Sequence, residues 1–145
     1  MAQFQSSGRD RKGLGELIGR LRAVLIREED VRSAWLFGSV VRGEDRTDSD
    51  IDVAVWMQSR PDFERFSTLQ LRLEQAIHRP VDLLVLNDCN PLVAREAVRG
   101  IPLLTRNDYA EMEFILDLDR QAEDFLAFLA SFWEERRRGA TEVRK

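Results

Sequence analysis

The sequence predicts an α/β fold: a small mixed sheet with helices mainly on one face and a long C-terminal helix. Three observations point there. Short apolar runs rich in β-branched residues alternate along the chain with longer stretches of helical period. Glycine and proline mark the boundaries between them. And 145 residues without an internal repeat, a low-complexity tract or a linker confine the chain to one core.

The elements follow in order. Residues 1–12, "MAQFQSSGRDRK", are polar and aperiodic and are expected to form a flexible N-terminal arm. Leu14, Leu17, Ile18, Leu21 and Leu25 then recur at helical spacing, weakened by Gly15 and Gly19. "SAWLFGS" is a short strand ended by glycine, and "VVRGEDRTDS" a helical turn running into a polar loop. "DIDVAVWM" is the second strand. Pro61, in a first helical turn, opens a helix through about His78. "RPVDLLVLN" is the third strand, with Pro80 at its start, where a missing donor is tolerated. "NPLVAREAVRG" is a short helix closed by Gly100, and "IPLLTR" a fourth, edge-like strand. From Asn107 to about Arg138 a long helix carries Phe114, Ile115, Leu118, Phe125, Leu126, Leu129 and Trp133 along one side. The core domain is therefore expected over 13–138, with 139–145 as a flexible tail.

Composition narrows the function. One cysteine, Cys89, excludes an internal disulfide and a multi-cysteine zinc site, and fits a reducing, cytoplasmic setting. No apolar run reaches the ~20 residues of a membrane span. A net charge of −4 argues against stable direct binding to a long nucleic acid. The basic run "EERRRG" reads as a solvated helix end whose cations complement the helix dipole, or as a docking patch.

The chemistry concentrates in "FGSVVRGEDRTDSDIDVAV", Phe37 to Val55. If Asp50 begins the second strand, alternation puts Asp50, Asp52, Ala54 and Trp56 on one face and Ile51, Val53, Val55 and Met57 on the core face. The same alternation sets Asp82 opposite Val81, Leu83 and Val85. If these strands are neighbours, three carboxylates converge. Two such charges ~6 Å apart repel by about 3 kcal/mol at an effective dielectric near 20, which demands raised pKa values or a cation. Hard divalent ions with oxygen ligands meet that demand. Standing alone, the aspartates read better as separate exposed turn or strand-end residues, and Gly38-Ser39 as an ordinary capped turn. Together they describe one site. Gly38 lets the backbone approach a ligand, Ser39 offers a hydroxyl beside outward amides, and Arg42 lies one turn on, a charge-assisted contact for a polyphosphate. Other chemistries fail on inventory: no second glycine for a nucleophile elbow, no P-loop, and a lone His78 at a helix end.

Gly38-Ser39, ten residues, then Asp50-Ile51-Asp52 resembles the signature of the DNA polymerase beta-like nucleotidyltransferases. The fuller "GSVVRGEDRTDSDIDVAV" is similar to the minimal nucleotidyltransferase (MNT) family among them, and the third carboxylate in "VDLLVL", the "NPLVAREAVRGIPLL" segment and the final helix fit too. Val41 departs from the pattern, which often has alanine there. The resemblance implies the polymerase beta-like fold and nucleotidyl transfer from ATP. Asp50 and Asp52 would hold two Mg2+ ions, Asp82 would join one of them nearest the attacking hydroxyl, and Gly38, Ser39 and Arg42 would hold the phosphates. It further implies an antitoxin that adds AMP to a tyrosine of a HEPN ribonuclease toxin, its partner in a hetero-oligomer. A chain with a site and no substrate-binding domain needs an acceptor that brings its own surface. Phe125, Phe128, Phe132 and Trp133 either supply that partner face or cover the sheet. A transferase acting on a small hydroxyl compound or an RNA end, and a non-catalytic binding antitoxin, remain as alternatives.

Overall fold

The structure, a computed structural model, describes the backbone of residues 2–44 and 49–143 and the side chains of 12–44 and 49–140. Its elements are α1 (Ala2–Leu25), β1 (Val31–Phe37), β2 (Ile51–Met57), α2 (Phe63–Ile77), β3 (Val81–Val85), α3 (Pro91–Ala97), β4 (Ile101–Thr105) and α4 (Asp108–Val143), with one 3₁₀ turn at Leu86–Asp88. The four strands form one mixed sheet in the order β3-β2-β1-β4. β1 runs antiparallel to both β2 and β4, and β2 runs parallel to β3. The parallel pair needs a crossover, which α2 supplies.

Alternation sorts the side chains as the sequence predicts. Ile51, Val53, Val55 and Met57 enter the main core with Leu21 and Leu25 of α1 and Leu69, Leu73 and Ile77 of α2. The opposite face holds a second, smaller cluster: Trp35, Ala54 and Leu86 with Ala94 and Ala97 of α3 and Leu118 of α4. The helices therefore divide two and two between the faces, not mainly on one as the sequence predicts, because α3 and α4 also carry apolar residues to the second face. They cover part of it and leave the end where β2 begins. Val40 and Val41 pack their apolar groups against the main core, so Val41 takes a packing role in the turn after β1.

Local chemistry sets the ends. Asp62 caps α2 by accepting from the Arg65 amide, so Pro61 lies just ahead of the cap rather than inside the first turn. His78 closes α2 in the left-handed region at φ 56°, donating its amide to the Glu74 carbonyl. The lone histidine thus ends the helix, as its position in the sequence suggests. Asn90 caps α3 ahead of Pro91, and the Asn107 side chain accepts from the Ala110 amide at the start of α4. On the outer edge at β4, Pro102 lacks a donor and Arg22 donates to the Pro102 and Leu103 carbonyls, which blunts the edge.

Two boundaries differ from the sequence reading. α1 begins at Ala2, so the backbone of the stretch expected as an arm continues the helix; its side chains through residue 11 lie outside the described residues. α4 runs 36 residues to Val143, through the start of the segment expected as a tail, of which 144–145 are not described. Part of the predicted polar loop, 45–48, also lies outside the described residues. Among the described residues, no helix is long and apolar enough to cross a membrane.

Candidate active site

β1 ends at Phe37 directly beside Asp52 on β2, and Asp52 pairs in register with Asp82 on the parallel β3. Register partners share a face, so the Asp52 and Asp82 carboxylates stand side by side on the partly covered face. The Ile51 amide donates to the Pro80 carbonyl at 3.0 Å, fastening the start of β2 to the start of β3 and holding that pairing.

Gly38 follows at once and turns the chain back over this pair. Its φ is +81°, and a Cβ placed on it would come within 2.0 Å of Asp52 Oδ2. Two constraints therefore exclude a side chain here: the left-handed backbone and the carboxylate against which the glycine lies. The turn closes on itself, with the Val41 and Arg42 amides donating to the Gly38 carbonyl and the Glu44 amide to the Ser39 carbonyl at 2.9 Å. This is the single helical turn the sequence predicts. Among the described residues, the Ser39 and Val40 amides and the Ser39 hydroxyl take no hydrogen-bond partner, which leaves three donors beside Asp52 for an anion.

Burial above all holds the Asp52 carboxyl above the usual carboxylate range. The negative charges of Asp82 and then Asp50 add to this, Arg42 pulls the other way, and a hydrogen bond with Asp82 contributes least. Asp50 itself is exposed and lies one residue ahead of β2, not at its first position. Its field reaches Asp52, but among the described residues no three acidic, histidine or cysteine side chains are gathered closely enough to enclose a metal ion. The structure thus brings Asp52 and Asp82 together and leaves Asp50 at the mouth, a looser arrangement than the three-way convergence the sequence predicts. Arg42 reaches Glu44 at 3.3 Å with both side chains exposed, so it is engaged on the surface.

A divalent cation suits this donor set. The ligands are hard carboxylate oxygens, as magnesium prefers. Asp52 is desolvated beside two like charges, so a positive charge would relieve a cost that Arg42 only partly offsets.

Four other residues resolve. Trp56 stacks on Phe114 with ring centroids 4.3 Å apart and planes 10° from parallel, and the Arg32 guanidinium lies 5.3 Å from its ring. It is a packing tryptophan, four positions along β2 from Asp52. Cys89 is half-buried, and burial pushes its thiol up, away from nucleophilic use. Arg79, which the sequence reading passed over, donates to the Ser49 carbonyl at 2.8 Å and anchors the chain entering Asp50. No local pattern marks such a contact, because its partner lies 30 residues away. Gly100 is likewise structural: a Cβ on it would meet the Leu36 carbonyl oxygen at 2.2 Å, so only glycine lets the α3–β4 turn lie against the end of β1.

The family model of the polymerase beta nucleotidyltransferases matches residues 20–109, which contain every residue of this site. The protein adenylyltransferase MntA of Thermococcus cleftensis is 34% identical over 71 residues, 49% of this chain and 72% of that protein. A Methanocaldococcus jannaschii protein whose adenylyltransferase name is provisional is 35% identical over 72 residues, 50% of this chain and 84% of its own length. Among solved structures, a chain from the complex of tri-AMPylated Shewanella oneidensis HEPN toxin with MNT antitoxin superposes with a TM-score of 0.62 at 19% identity, covering 87% of this chain and 97% of that one. A chain from a toxin–antitoxin complex with AMP-PNP gives 0.56 at 20%, covering 87% and 98%. At these identities the structural likeness is one of fold. The chain belongs to the polymerase beta nucleotidyltransferase family, on its minimal nucleotidyltransferase (MNT) branch.

Proposed function

We propose that this protein is an antitoxin that transfers AMP from ATP to a hydroxyl group, a tyrosine, of a HEPN ribonuclease toxin and so neutralises it. The observation that carries the reading is the seat of Gly38 on Asp52: a glycine turn with open amides lies directly against a desolvated carboxylate paired with a second one. Phosphate donors and acidic side chains in one place suit a nucleoside triphosphate and little else. The relatives named above support the choice of a protein acceptor, since both carry the name protein adenylyltransferase and the fold recurs in complexes of MNT antitoxins with HEPN toxins.

Each residue has a task in this reading. The Ser39 and Val40 amides and the Ser39 hydroxyl hold the β- and γ-phosphates, and Gly38 lets them approach Asp52. Arg42 leaves its surface pair with Glu44 to add charge at the phosphates. Asp50 and Asp52 would hold magnesium, with Asp82 completing the ligand set. When bound, magnesium ions neutralise the carboxylates and polarise the α-phosphate and the leaving oxygen. The acceptor oxygen attacks the α-phosphorus, the bond to the β-phosphate oxygen breaks, and pyrophosphate leaves in line. Asp82, the more exposed of the adjacent pair, faces the incoming hydroxyl and takes its proton.

The test is label transfer. With ATP labelled at the α-phosphate, magnesium and the HEPN toxin of the same source, the toxin band acquires label, and Asp50→Asn together with Asp52→Asn abolishes it. Label appearing in RNA or small molecules instead of the toxin overturns the protein acceptor. Undiminished neutralisation by the double variant overturns catalysis as the means.

A further inference from the structure

α4 runs from the far end of the sheet toward the end that carries Asp52. Phe114 stacks on Trp56 near the far end, and Leu118 joins Trp35 and Ala54 midway. Ala122 is the last fully buried residue of the helix. Beyond it α4 continues for roughly 30 Å at ~1.5 Å per residue. It leaves the body on the same sheet face that presents Asp52 and Asp82, because Asp52, Ala54 and Trp56 share that face.

The apolar stripe does not stop where the body stops. Ile115, Leu118 and Ala122 face the body, and the same three- and four-residue spacing continues through Phe125, Leu129 and Phe132. Phe128 and Trp133 widen it. Phe128 is 63% exposed, Trp133 56%, Phe132 42% and Leu126 40%. The rings already touch each other, Phe128 with Phe132 at 6.5 Å and Phe132 edge-on to Trp133 at 6.0 Å. Of the four aromatics expected either to cover the sheet or to face a partner, Phe128, Phe132 and Trp133 stand exposed, and Phe125 is half-buried.

We infer that this projecting half of α4 is the docking surface for the protein that supplies the acceptor hydroxyl, and that it holds that protein over the Asp52–Asp82 pair. The inference rests on the function proposed above and names the contact that function needs. Size selects the occupant. At ~150–250 Å² per aromatic side chain, the exposed parts of the stripe amount to on the order of 400 Å². A stable symmetric pairing of two copies through it falls short of the roughly 800 Å² per partner of a standard interface. A partner that lies along the stripe and also across the neighbouring active-site face reaches that size. Position supports the same choice: the stripe starts where the body ends beside the active site, so a protein seated on it meets the carboxylates without any further domain.

The experiment uses the full chain with Phe128→Glu and Trp133→Glu, both exposed, and Leu71→Glu as a control at an exposed apolar site on α2. AMP transfer is followed against toxin concentration, and toxin binding by calorimetry. The inference predicts that the α4 double variant raises KM for the toxin at least tenfold and weakens its binding in parallel. It predicts kcat at saturating toxin within twofold of wild type, unchanged ATP binding, and a silent Leu71 variant. Equal KM and equal toxin affinity in wild type and α4 variant overturn the docking surface. So does a wild-type dimer that the α4 variant splits while toxin transfer stays unchanged, which makes a second copy the occupant. A wild type that transfers no AMP defeats the proposed function instead. In that case, toxin binding that the α4 variant loses still upholds the surface.

Discussion

Two acidic clusters sit at opposite ends of the same sheet, and the chain treats them differently. At the far end, Glu28 is buried and Asp30 adjoins it. Arg72 donates to both Glu28 oxygens at 2.7 and 3.0 Å. Arg65 donates to Glu28 at 2.8 Å and to both Asp30 oxygens at 2.8 and 2.7 Å. The Arg106 guanidinium collects the Leu25, Ile26, Glu28 and Val31 carbonyls, satisfying the end of α1 and the start of β1. Asp30 is held below the usual carboxylate range, chiefly by its hydrogen bond from Arg65. At the near end, Asp52 is held above that range, and the largest neighbouring charges are two more carboxylates. A chain that surrounds one acidic group with arginines evidently has the means to neutralise the other. Leaving Asp52 and Asp82 to face each other preserves a deficit of positive charge, which in the proposed function a bound cation fills. That difference in charge balance is the ground on which the proposed function treats one cluster as structural and the other as its site.

The largest effect expected is at Asp52. Asp52→Asn lowers AMP transfer by at least ~10²–10³-fold, the scale of removing one preorganised electrostatic group. Gly38→Ala comes next, because its Cβ would strike Asp52 Oδ2 and its backbone would be strained at φ +81°. It lowers transfer by about 10²-fold and stability by about 1–3 kcal/mol, read from initial rates and a urea melt. Glu28→Ala gives the converse result: a loss of about 1–3 kcal/mol in stability, because the buried acceptor of the Arg65 and Arg72 hydrogen bonds is removed, with transfer by the folded fraction unchanged. If Glu28→Ala abolishes activity without unfolding, the division between the two ends is wrong.

The smallest effect is on pH dependence, and its sign differs between the ends. Asp30 has a folded pKa below its unfolded value of about 3.8. Its contribution to stability is present above that value and is lost as pH falls through the lowered pKa. Asp30→Asn therefore costs stability at pH 7, and the difference from wild type fades in acid. Asp52 has a raised folded pKa, so its favourable contribution is full below about 3.8 and is lost as pH rises through the raised pKa. Without metal, Asp52→Asn gains stability relative to wild type over that window. Thermal melts of both variants from pH 3 to 7 read the two signs directly.

The sequence made the near end legible and the far end not. Gly38, Ser39, Asp50 and Asp52 lie within one short segment, and strand alternation assigns their faces without knowledge of the rest. Asp82 needed one further assumption, that β2 and β3 are neighbours, and the parallel register confirms it. The far cluster is assembled across 35, 37 and 44 residues by long side chains whose partners no local pattern announces. The looseness of Asp50 escaped for another reason: it stands one residue ahead of the strand, where alternation no longer constrains it. α4 shows a third limit. Its apolar period is uniform along the sequence, and only the end of the sheet decides which half is core and which half is exposed.

The central claim, that the Asp52 cluster is built to accept a cation, is tested most directly by the melting temperatures of wild type and Asp52→Asn with EDTA and with magnesium plus a non-hydrolysable ATP analogue. The account predicts that the variant melts higher than wild type in EDTA, and that the order reverses with magnesium and nucleotide because only wild type gains by binding. A variant that melts lower in EDTA, with wild type unmoved by magnesium and nucleotide, would contradict it and make Asp52 a structural residue like Asp30.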